Sequence, residues 1–451
     1  MNNTRAIVLA AGLLLSAAVP AAAQESTSVA QLLPALAAES AVITAGATGD
    51  HRNHFASDPG SLAGLYELNR LLAVQVGSFP FGPSSLATPG LSSEGRLLPT
   101  AGGSAADTAL TVGRGSVALA VGYQATTFDT LDGLDLRASD INVYLPHTGA
   151  TGAASDRDMM QQTASLRLNR KVVTVALTYG LGTRTDIGVV VPLVQVAADA
   201  RVTSRIVRTG SSLNPAAHQF DPLGGTGRTL PRYCSAAVPG FDPEALQCHG
   251  SRTARGVGDI VVRTKFRLGE PGAGIAVGAD VRVPTGSTDD FIGLGAFQVR
   301  PHVTFSAAAG RVVPRVRVDY TWSEGELSSQ LGGGVDRGIP AEIGVAAGFD
   351  AGVSRYVSLA FDATARRIDG LRELTAGSVV FGGRGVGGSD YVGRDALLAG
   401  DARAVIQITG AVGVRLSLPG DLLGQMSVLV PMGDGGLRPG PMAVFSLTRS
   451  Y

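Results

Sequence analysis

His302 and Ser306 have the residue types of a hydrolytic pair, and they lie four positions apart in an alternating segment. A serine nucleophile and its histidine base must lie about 3 Å apart. Four strand residues separate two side chains by about 13 Å, because each residue advances the chain by about 3.3 Å. The chain also lacks a G-x-S-x-G motif. We therefore expect no catalytic residues and interpret the chain as not being an enzyme.

Cys234 and Cys248 are the two cysteines of the chain, and both lie in a polar segment rich in proline and glycine. In an exported protein this arrangement predicts a disulfide, which stabilises the fold by about 3 kcal/mol on the chain-entropy model. A metal site that includes the adjacent His249 is the competing interpretation, but further ligands at zinc spacing are missing. We expect no bound metal and no cofactor.

An acidic cluster surrounds Gly133 and consists of Asp129, Asp132, Asp135 and Asp140. Carboxylates at this density suggest a cation loop. They lack the twelve-residue order and the final bidentate glutamate of an EF-hand. A solvated external loop is the better interpretation.

Charged residues recur at alternate positions of several neighbouring segments. If these polar faces point into a closed cylinder, they line its lumen as a selectivity zone. The alternative is a hydrogen-bonded network that merely fills a small barrel. The candidate lumen-lining residues are Arg263, Lys265, Arg267, Asp280, Arg282, Arg300, His302, Arg315, Arg317 and Asp319.

The segments that carry these residues alternate apolar and polar side chains from about residue 115 to the end. In one of them, Val316 and Val318 oppose Arg315 and Arg317. Alternation over about ten residues predicts strands long enough to cross a bilayer at a tilt. The segments are 115–127, 162–180, 185–208, 256–268, 273–284, 295–308, 312–323, 339–350, 355–366, 400–418, 421–432 and 439–451.

The connections alternate in length. Short turns such as 181–184 and 419–421 are typical of one end of an outer-membrane barrel, and long loops of the other. We therefore predict an all-β transmembrane antiparallel barrel of about 12 strands, or 14 if the strand-like residues 138–146 join it. The long connections are about 127–161, 209–255, 285–294, 324–338 and 367–399.

One segment departs from regular alternation. Between Arg167 and Tyr179 the apolar residues change from one alternate set to the other. An extra residue in a strand produces such a change. We predict a bulge or a strand break there.

The N-terminus has the features of a secretory signal peptide, with Arg5, an apolar stretch from Ala6 to Val19, and small residues before Gln24. We expect cleavage after Ala23, so that residues 1–23 form the signal peptide. Charged residues make up 16% of the chain, against roughly 25% in an average domain. Low charge fits a barrel whose outer face contacts lipid.

Residues 24–113 lack sustained alternation. Residues 29–39 predict a short helix, and the remainder, punctuated by glycine and proline, predicts loop. So long a segment is uncommon as a simple connection. We expect a plug inside the barrel or a periplasmic segment, followed by the barrel at 114–451.

The last strand ends in an aromatic residue, Tyr451, with Phe445 and Leu447 at alternate positions before it. This pattern resembles the signal read by the barrel-assembly machinery, which we expect as a partner together with outer-membrane lipid. Arg449 interrupts the apolar face of that strand.

Several segments resemble the outer-membrane barrel family named for the meta-pathway of phenol degradation, a relative of the fatty-acid and aromatic-hydrocarbon channels. The resemblance covers roughly residues 110–451 and implies a barrel that takes up hydrophobic compounds. It implies no catalytic residues and no particular solute. The segments are 177–186 (LTYGLGTRTD), 190–192 (VVP), 256–266 (GVGDIVVRTKF), 282–286 (RVPTG), 428–431 (VLVP) and 435–439 (GGLRP).

These observations favour a passive channel in the bacterial outer membrane for small hydrophobic or aromatic compounds, because the sequence contains no convincing nucleotide site. The alternative is a structural or adhesion barrel that displays external loops without transport. A formal net charge of +0 gives no reason to expect nucleic acid as a partner. The oligomeric state is left open.

Overall fold

The computed structural model describes residues 27–43, 54–55, 63–78, 87–91, 97–101, 107–138, 141–148, 153–211, 218–220, 233–234, 244–269, 273–325, 327 and 338–451. Structural statements below concern these residues alone. The predicted signal peptide lies outside them. Within the described ranges, no helix is long and apolar enough to span a membrane.

Two helices precede the barrel, α1 (Val29–Ser40) and α2 (Ala63–Ser78). A capping box starts α1: Ser28 Oγ accepts the Gln31 backbone N–H, and the Gln31 side chain accepts the Ser28 N–H. The predicted helix at 29–39 is confirmed. The prediction of loop for the rest of this region is wrong at α2, where leucine, alanine and other good helix formers outweigh the flanking glycine and proline. It is also wrong at residues 87–91 and 97–101, which pair as two antiparallel strands.

Strands make up most of the remaining described chain. They are β1 (Ala87–Leu91), β2 (Leu97–Ala101), β3 (Val117–Leu131), β4 (Leu134–Asp135), β5 (Ile141–Pro146), β6 (Met159–Gly180), β7 (Thr185–Val207), β8 (Ala245–Val257), β9 (Ile260–Leu268), β10 (Ala273–Val283), β11 (Phe297–Ala307), β12 (Val312–Glu324), β13 (Glu342–Gly352), β14 (Val357–Phe381), β15 (Tyr391–Leu418), β16 (Leu422–Met432), β17 (Leu437–Pro439) and β18 (Met442–Ser450).

Twelve of these strands form a closed antiparallel ring. The order is β3, β6, β7, β9, β10, β11, β12, β13, β14, β15, β16 and β18, which pairs again with β3. The predicted barrel of about 12 strands is therefore confirmed. The alternative of 14 is wrong, because β5 is a strand that pairs with β6 beside the ring and does not enter it.

The two ends of the barrel differ. At one, the short-turn end, residues 181–184 join β6 to β7 and residues 419–421 join β15 to β16. The first and last barrel strands meet there, since Val117 and Tyr451 exchange backbone hydrogen bonds of 3.1 and 2.8 Å. The opposite end is the long-loop end.

The sheet continues beyond the ring at the long-loop end. β8 lies within the predicted loop 209–255, and the hairpin of β14 and β15 runs through the predicted loop 367–399. β8 and β9 both pair with β7, so they form one strand interrupted at residues 258–259. The loop predictions are wrong at these positions, as is the predicted strand start at 256, because residues 256–257 end β8.

The outer face of the ring is an apolar belt. Val318 and Trp322 on β12 are 48% and 47% exposed, whereas Arg315 and Arg317 on the same strand are 1% and 0% exposed. This is the reverse of a soluble protein, in which charged residues are almost never fully buried unless paired. It is the arrangement of a barrel in lipid. The chain forms a transmembrane barrel of the outer-membrane type.

β6 crosses the edge of this belt without a break. Its pairing with β3 and β7 shows no register shift, and its even-numbered side chains point inward throughout. The predicted bulge is therefore wrong; register shifts occur instead in the hairpin of β14 and β15. The apolar set changes because the strand leaves the membrane. Its outward side chains are Tyr179, Leu177, Val175 and Val173, then Lys171, Asn169, Arg167 and Ser165.

Candidate functional site: the barrel interior

Every candidate lumen-lining residue named from the sequence is buried in the barrel. The exposed fractions range from 0% for Arg317 to 9% for Arg300. These residues lie on the faces opposite the apolar belt because strand side chains alternate. With their partners below they form the charged interior. The set is Arg263, Lys265, Arg267, Asp280, Arg282, Arg300, His302, Arg315, Arg317 and Asp319.

Asp107, from the N-terminal region, joins one group of these charges. Its carboxylate lies 2.9 Å from Lys265 Nζ, 3.2 Å from Arg263 and 3.7 Å from Arg317. Asp280 contacts the same two arginines at 2.7 and 3.0 Å. Two carboxylates thus offset three cations where water is largely excluded, a setting in which an unpaired charge is costly. Asp107 carried no signal in the sequence because it precedes the alternating segments.

The backbone after Asp107 is also held by the barrel. Ala109 N–H donates to Ser306 Oγ at 2.9 Å, and Val112 N–H donates to Asp186 at 3.0 Å. Residues 107–112 therefore form a strap that lies along the inner wall and leads to the start of β3. Ser306 therefore contacts the strap, and neither ring nitrogen of His302 has a hydrogen-bond partner among the described residues. No nucleophile–base contact joins the two.

A second group of charges centres on Arg315, which contacts Asp350 at 2.5 Å and Asp362 at 2.6 Å. Arg415 binds the same Asp350. Nearby, Arg366 pairs with Glu342 at 2.7 Å. Strand alternation on β13 and β14 places Asp350 and Asp362, the partners of Arg315, on inward faces. Their inward position could therefore be inferred from the sequence.

The other candidate residues make individual contacts. Arg300 donates to Thr321 Oγ1 at 2.9 Å and lies 3.4 Å from Asp319. Arg282 lies 4.0 Å from Asp259. Arg267 donates to the Thr183 carbonyl at 3.4 Å, at the short-turn end. The charged interior thus extends over much of the ring.

Beyond the ring, the interior is apolar and contains both helices. A hydrophobic cluster joins Leu32 and Leu36 of α1, and Leu68 and Leu72 of α2, to the inner walls of the extended strands. We call this region the apolar interior. Its wall residues include Leu166, Leu168, Val194, Val196, Val202, Leu246, Ile368, Leu371 and Leu374.

The helices fit closely against these walls. A Cβ at Gly250 of β8 would lie 2.9 Å from Leu32 Cδ1, so a larger residue there would displace the Leu32 side chain. α2 is also held by polar contacts: Gln75 Oε1 accepts the Leu437 N–H at 2.6 Å and Gln407 Nε2 at 2.7 Å.

Arg170 marks the border between the two interiors, and we had not singled it out from the sequence. It lies on β6 next to Leu168 and Val172 along the inward face and is 1% exposed. None of its guanidinium nitrogens has a hydrogen-bond partner in the described part of the chain. Asp259 interacts with this guanidinium electrostatically without a hydrogen bond.

Contacts outside the ring decide the interpretation of the cysteines and correct that of one residue of the acidic cluster. Asp140 of that cluster lies outside the described residues. Cys234 and Cys248 are joined by a disulfide, and His249 instead pairs with Asp199 at 3.0 Å, so the cysteine–histidine metal site is wrong. Asp132 is not a solvated loop residue, because it accepts the Gly436 N–H at 2.9 Å and pairs with Arg403 at 3.2 Å.

Comparison with known proteins gives a weak likeness to outer-membrane channels. No family model and no curated protein matches the chain. It is similar to an outer-membrane channel from Pseudomonas putida F1, with 14% identity over 76% of this chain and 97% of that chain and a TM-score of 0.41. The toluene transporter TodX from P. putida shows 11% identity over 75% of this chain and 89% of its own (TM-score 0.32). A FadL homologue from Pseudomonas aeruginosa shows 8% over 75% and 90% (TM-score 0.30). Because these TM-scores are low, the assignment of the barrel architecture rests on the strand pairing and not on these likenesses.

Proposed function

We propose that this chain is a passive outer-membrane channel for small hydrophobic or aromatic compounds, that residues 24–113 plug it, and that it has no enzymatic activity. One observation carries the proposal: a transmembrane ring opens, at its long-loop end, into an apolar interior occupied by the chain's own N-terminal helices. An apolar solute gains roughly 25 cal/mol for each Å² removed from water. Such an interior therefore attracts apolar solutes when the helices make room for them.

A solute can pass only if the contacts between the strap and the charged interior change. Asp107 ties the strap to Lys265, Arg263 and Arg317, so the strap obstructs the ring while these ion pairs last. Displacing the strap leaves a polar wall on which the candidate residues act as a selectivity zone. Flow follows the concentration gradient of the solute, since the sequence provides no convincing site for a nucleotide.

The plug is tested by removing it and by locking it. Deleting residues 30–112, which removes both helices and the strap with Asp107, should raise single-channel conductance in planar bilayers, and unchanged conductance would reject the plug. For the lock, Ala109→Cys and Ser306→Cys are combined, because their contact of 2.9 Å places the two residues side by side. Oxidation should lower solute flux and a reductant should restore it. The wild type under the same reductant controls for the native disulfide.

The kinds of solute that cross the barrel distinguish this proposal from the alternative, a barrel that does not transport. Proteoliposomes are assayed for entry of toluene-sized aromatics and of sugars. Aromatic flux above that of empty liposomes, with little sugar flux, supports the channel. Flux equal to that of empty liposomes, also after deletion of residues 30–112, favours a structural or adhesion barrel.

The family resemblance and the assembly partner belong to the same proposal. We propose membership in the family named for the meta-pathway of phenol degradation, on the segments quoted above. β18, which closes the ring against β3, is the proposed contact for the barrel-assembly machinery. Substituting Phe445 and Tyr451 by alanine should slow insertion in cells without changing the folded barrel.

A further inference from the structure

Three histidines from distant segments meet at the long-loop end. His54 belongs to the N-terminal region, His147 follows β5, and His218 lies between β7 and β8. One ring nitrogen from each lies within 4.8 Å of the others, and His147 Nε2 is 2.9 Å from His54 Nδ1. His147 and His218 are 5% and 1% exposed. The three imidazoles thus converge inside the protein.

The spacing is close to that of a metal site. Zinc binds histidine nitrogens at about 2.0–2.1 Å, so two nitrogens of a tetrahedral site lie about 3.3 Å apart. The pair formed by His54 and His147 is near that separation, at 2.9 Å. All three nitrogens lie within 4.8 Å of one another, so a common ion would draw them closer together. Three histidines with a fourth position for water are a known zinc donor set.

Asp158 gives the second, independent sign of a ligand site. It is 0% exposed, and its Oδ2 lies 2.8 Å from His218 Nδ1. Its Oδ1 accepts the backbone N–H groups of Gly210 and Ser211 at 2.9 and 3.0 Å. A fixed carboxylate on Nδ1 keeps the proton there, so that Nε2 carries the lone pair. Metal-bound histidines are oriented in this way by an outer carboxylate.

Phe55 covers the cluster on its apolar side. It is 0% exposed, and its ring centroid lies 5.5 Å from that of His147 and 5.2 Å from that of His218. The segments also meet through the backbone, because Thr148 N–H donates to the His54 carbonyl at 2.5 Å. The three ligand segments are therefore already held together around a common point.

We propose that His54, His147 and His218 bind one Zn²⁺ ion, or a divalent ion of similar softness, and that this ion fastens the N-terminal region to the long-loop end. We expected no metal from the sequence, because the three ligands lie far apart along the chain and form no spacing motif. The inference does not depend on transport, since the site would fasten a channel and a closed barrel alike.

Metal binding is tested on untagged, folded protein in detergent after treatment with a chelator. Zn²⁺ is titrated by calorimetry, and Co²⁺ absorption reports the coordination geometry. We expect one ion per wild-type chain. His218→Ala and His147→Gln should weaken binding by about 100-fold or more, and Asp158→Asn by about 10–100-fold. The control is His249→Ala, which removes an outward histidine with a 50% exposed side chain and should change nothing.

Heat-modifiable gel mobility confirms that each variant retains the barrel. The proposal is overturned if the folded wild type binds no more Zn²⁺ than the variant lacking all three histidines. The fastening role has its own readout, limited proteolysis of the N-terminal region. Zn²⁺ should slow cleavage in the wild type and in His249→Ala, but not in His54→Ala. Binding without such protection would disprove the fastening.

Discussion

The strands of this barrel pass through two regions whose polarity is inverted. Within the membrane, Val318 and Trp322 face outward and Arg315 and Arg317 face inward. Beyond it, on β6, Arg167 and Lys171 face outward, while the inward residues are leucine and valine apart from Arg170 at the border. Side-chain direction does not change between the regions. The surroundings change: lipid outside the ring, and α1 and α2 inside the extension.

The inversion shows that period-2 alternation identifies a strand but not which set of residues faces the core. The border lies at the same level on adjacent strands, because Lys171 on β6 is paired with Gln195 on β7, which is paired with Arg255 on β8. A ring of polar outward residues at one level is what the edge of a bilayer requires.

The largest expected effect comes from removing one cation of the charged interior. Arg315→Met leaves Asp362 without its close partner, and Asp350 retains only Arg415. We expect a loss of about 3–5 kcal/mol of unfolding free energy, because an uncompensated buried charge remains. Urea titration in lipid vesicles measures it, with Arg315→Lys as the control that retains the charge. A loss below about 1 kcal/mol would contradict a tightly coupled network.

A matched pair of outward substitutions tests the position of the bilayer. Val318→Arg places a charge near the middle of β12 and should cost about 2–4 kcal/mol. Ala197→Arg lies outward on β7 beyond the belt, between Gln195 and Asp199, and should cost nearly nothing. The same vesicle assay compares them. Equal costs would mean that the border is misplaced.

Arg170 should behave opposite to Arg315 although both are buried arginines. Arg170→Met removes a charge that has no hydrogen-bond partner in the described chain and replaces it with an apolar side chain. We expect a gain of up to about 1–4 kcal/mol, the range found when buried ion pairs are replaced by well-packed apolar residues. A loss of stability would show that the electrostatic interaction with Asp259 stabilises the folded protein.

The smallest effect concerns pH at the long-loop end. Burial raises the pKa of the Asp158 carboxyl, but hydrogen bonds from His218, Ser211 and Gly210 outweigh it and lower that pKa below its usual 3.8. Because the folded pKa is the lower one, this stabilisation is present above 3.8 and is lost as the pH falls through the folded value. As the pH falls through the folded pKa of Asp158, amide hydrogen exchange at residues 209–211 should become faster, after correction for intrinsic exchange rates. Asp158→Asn should abolish the dependence while the ring stays protected.

The sequence was informative wherever local pattern and environment agree. Alternation located most ring strands to within a few residues. It began β9 too early, at 256, ended β14 too early, at 366, and began β15 too late, at 400, because it missed the hairpin that continues the last two. It also placed Arg263, Asp280 and Arg317 on inward faces. It missed α2, whose helix formers lie among glycine and proline, and it missed Asp107, which no periodic pattern includes.

The sequence by itself determined a membrane-spanning antiparallel barrel. The two-residue period of a strand and the low charge content can be read from the chain without knowing which strands pair. Only the tertiary structure decided where the polarity inverts, that the N-terminal helices fill the apolar interior, and that His54, His147 and His218 meet. Those features depend on contacts between segments that are far apart in the chain. The residues that explain each side chain are its neighbours in space, and the sequence does not show which these are.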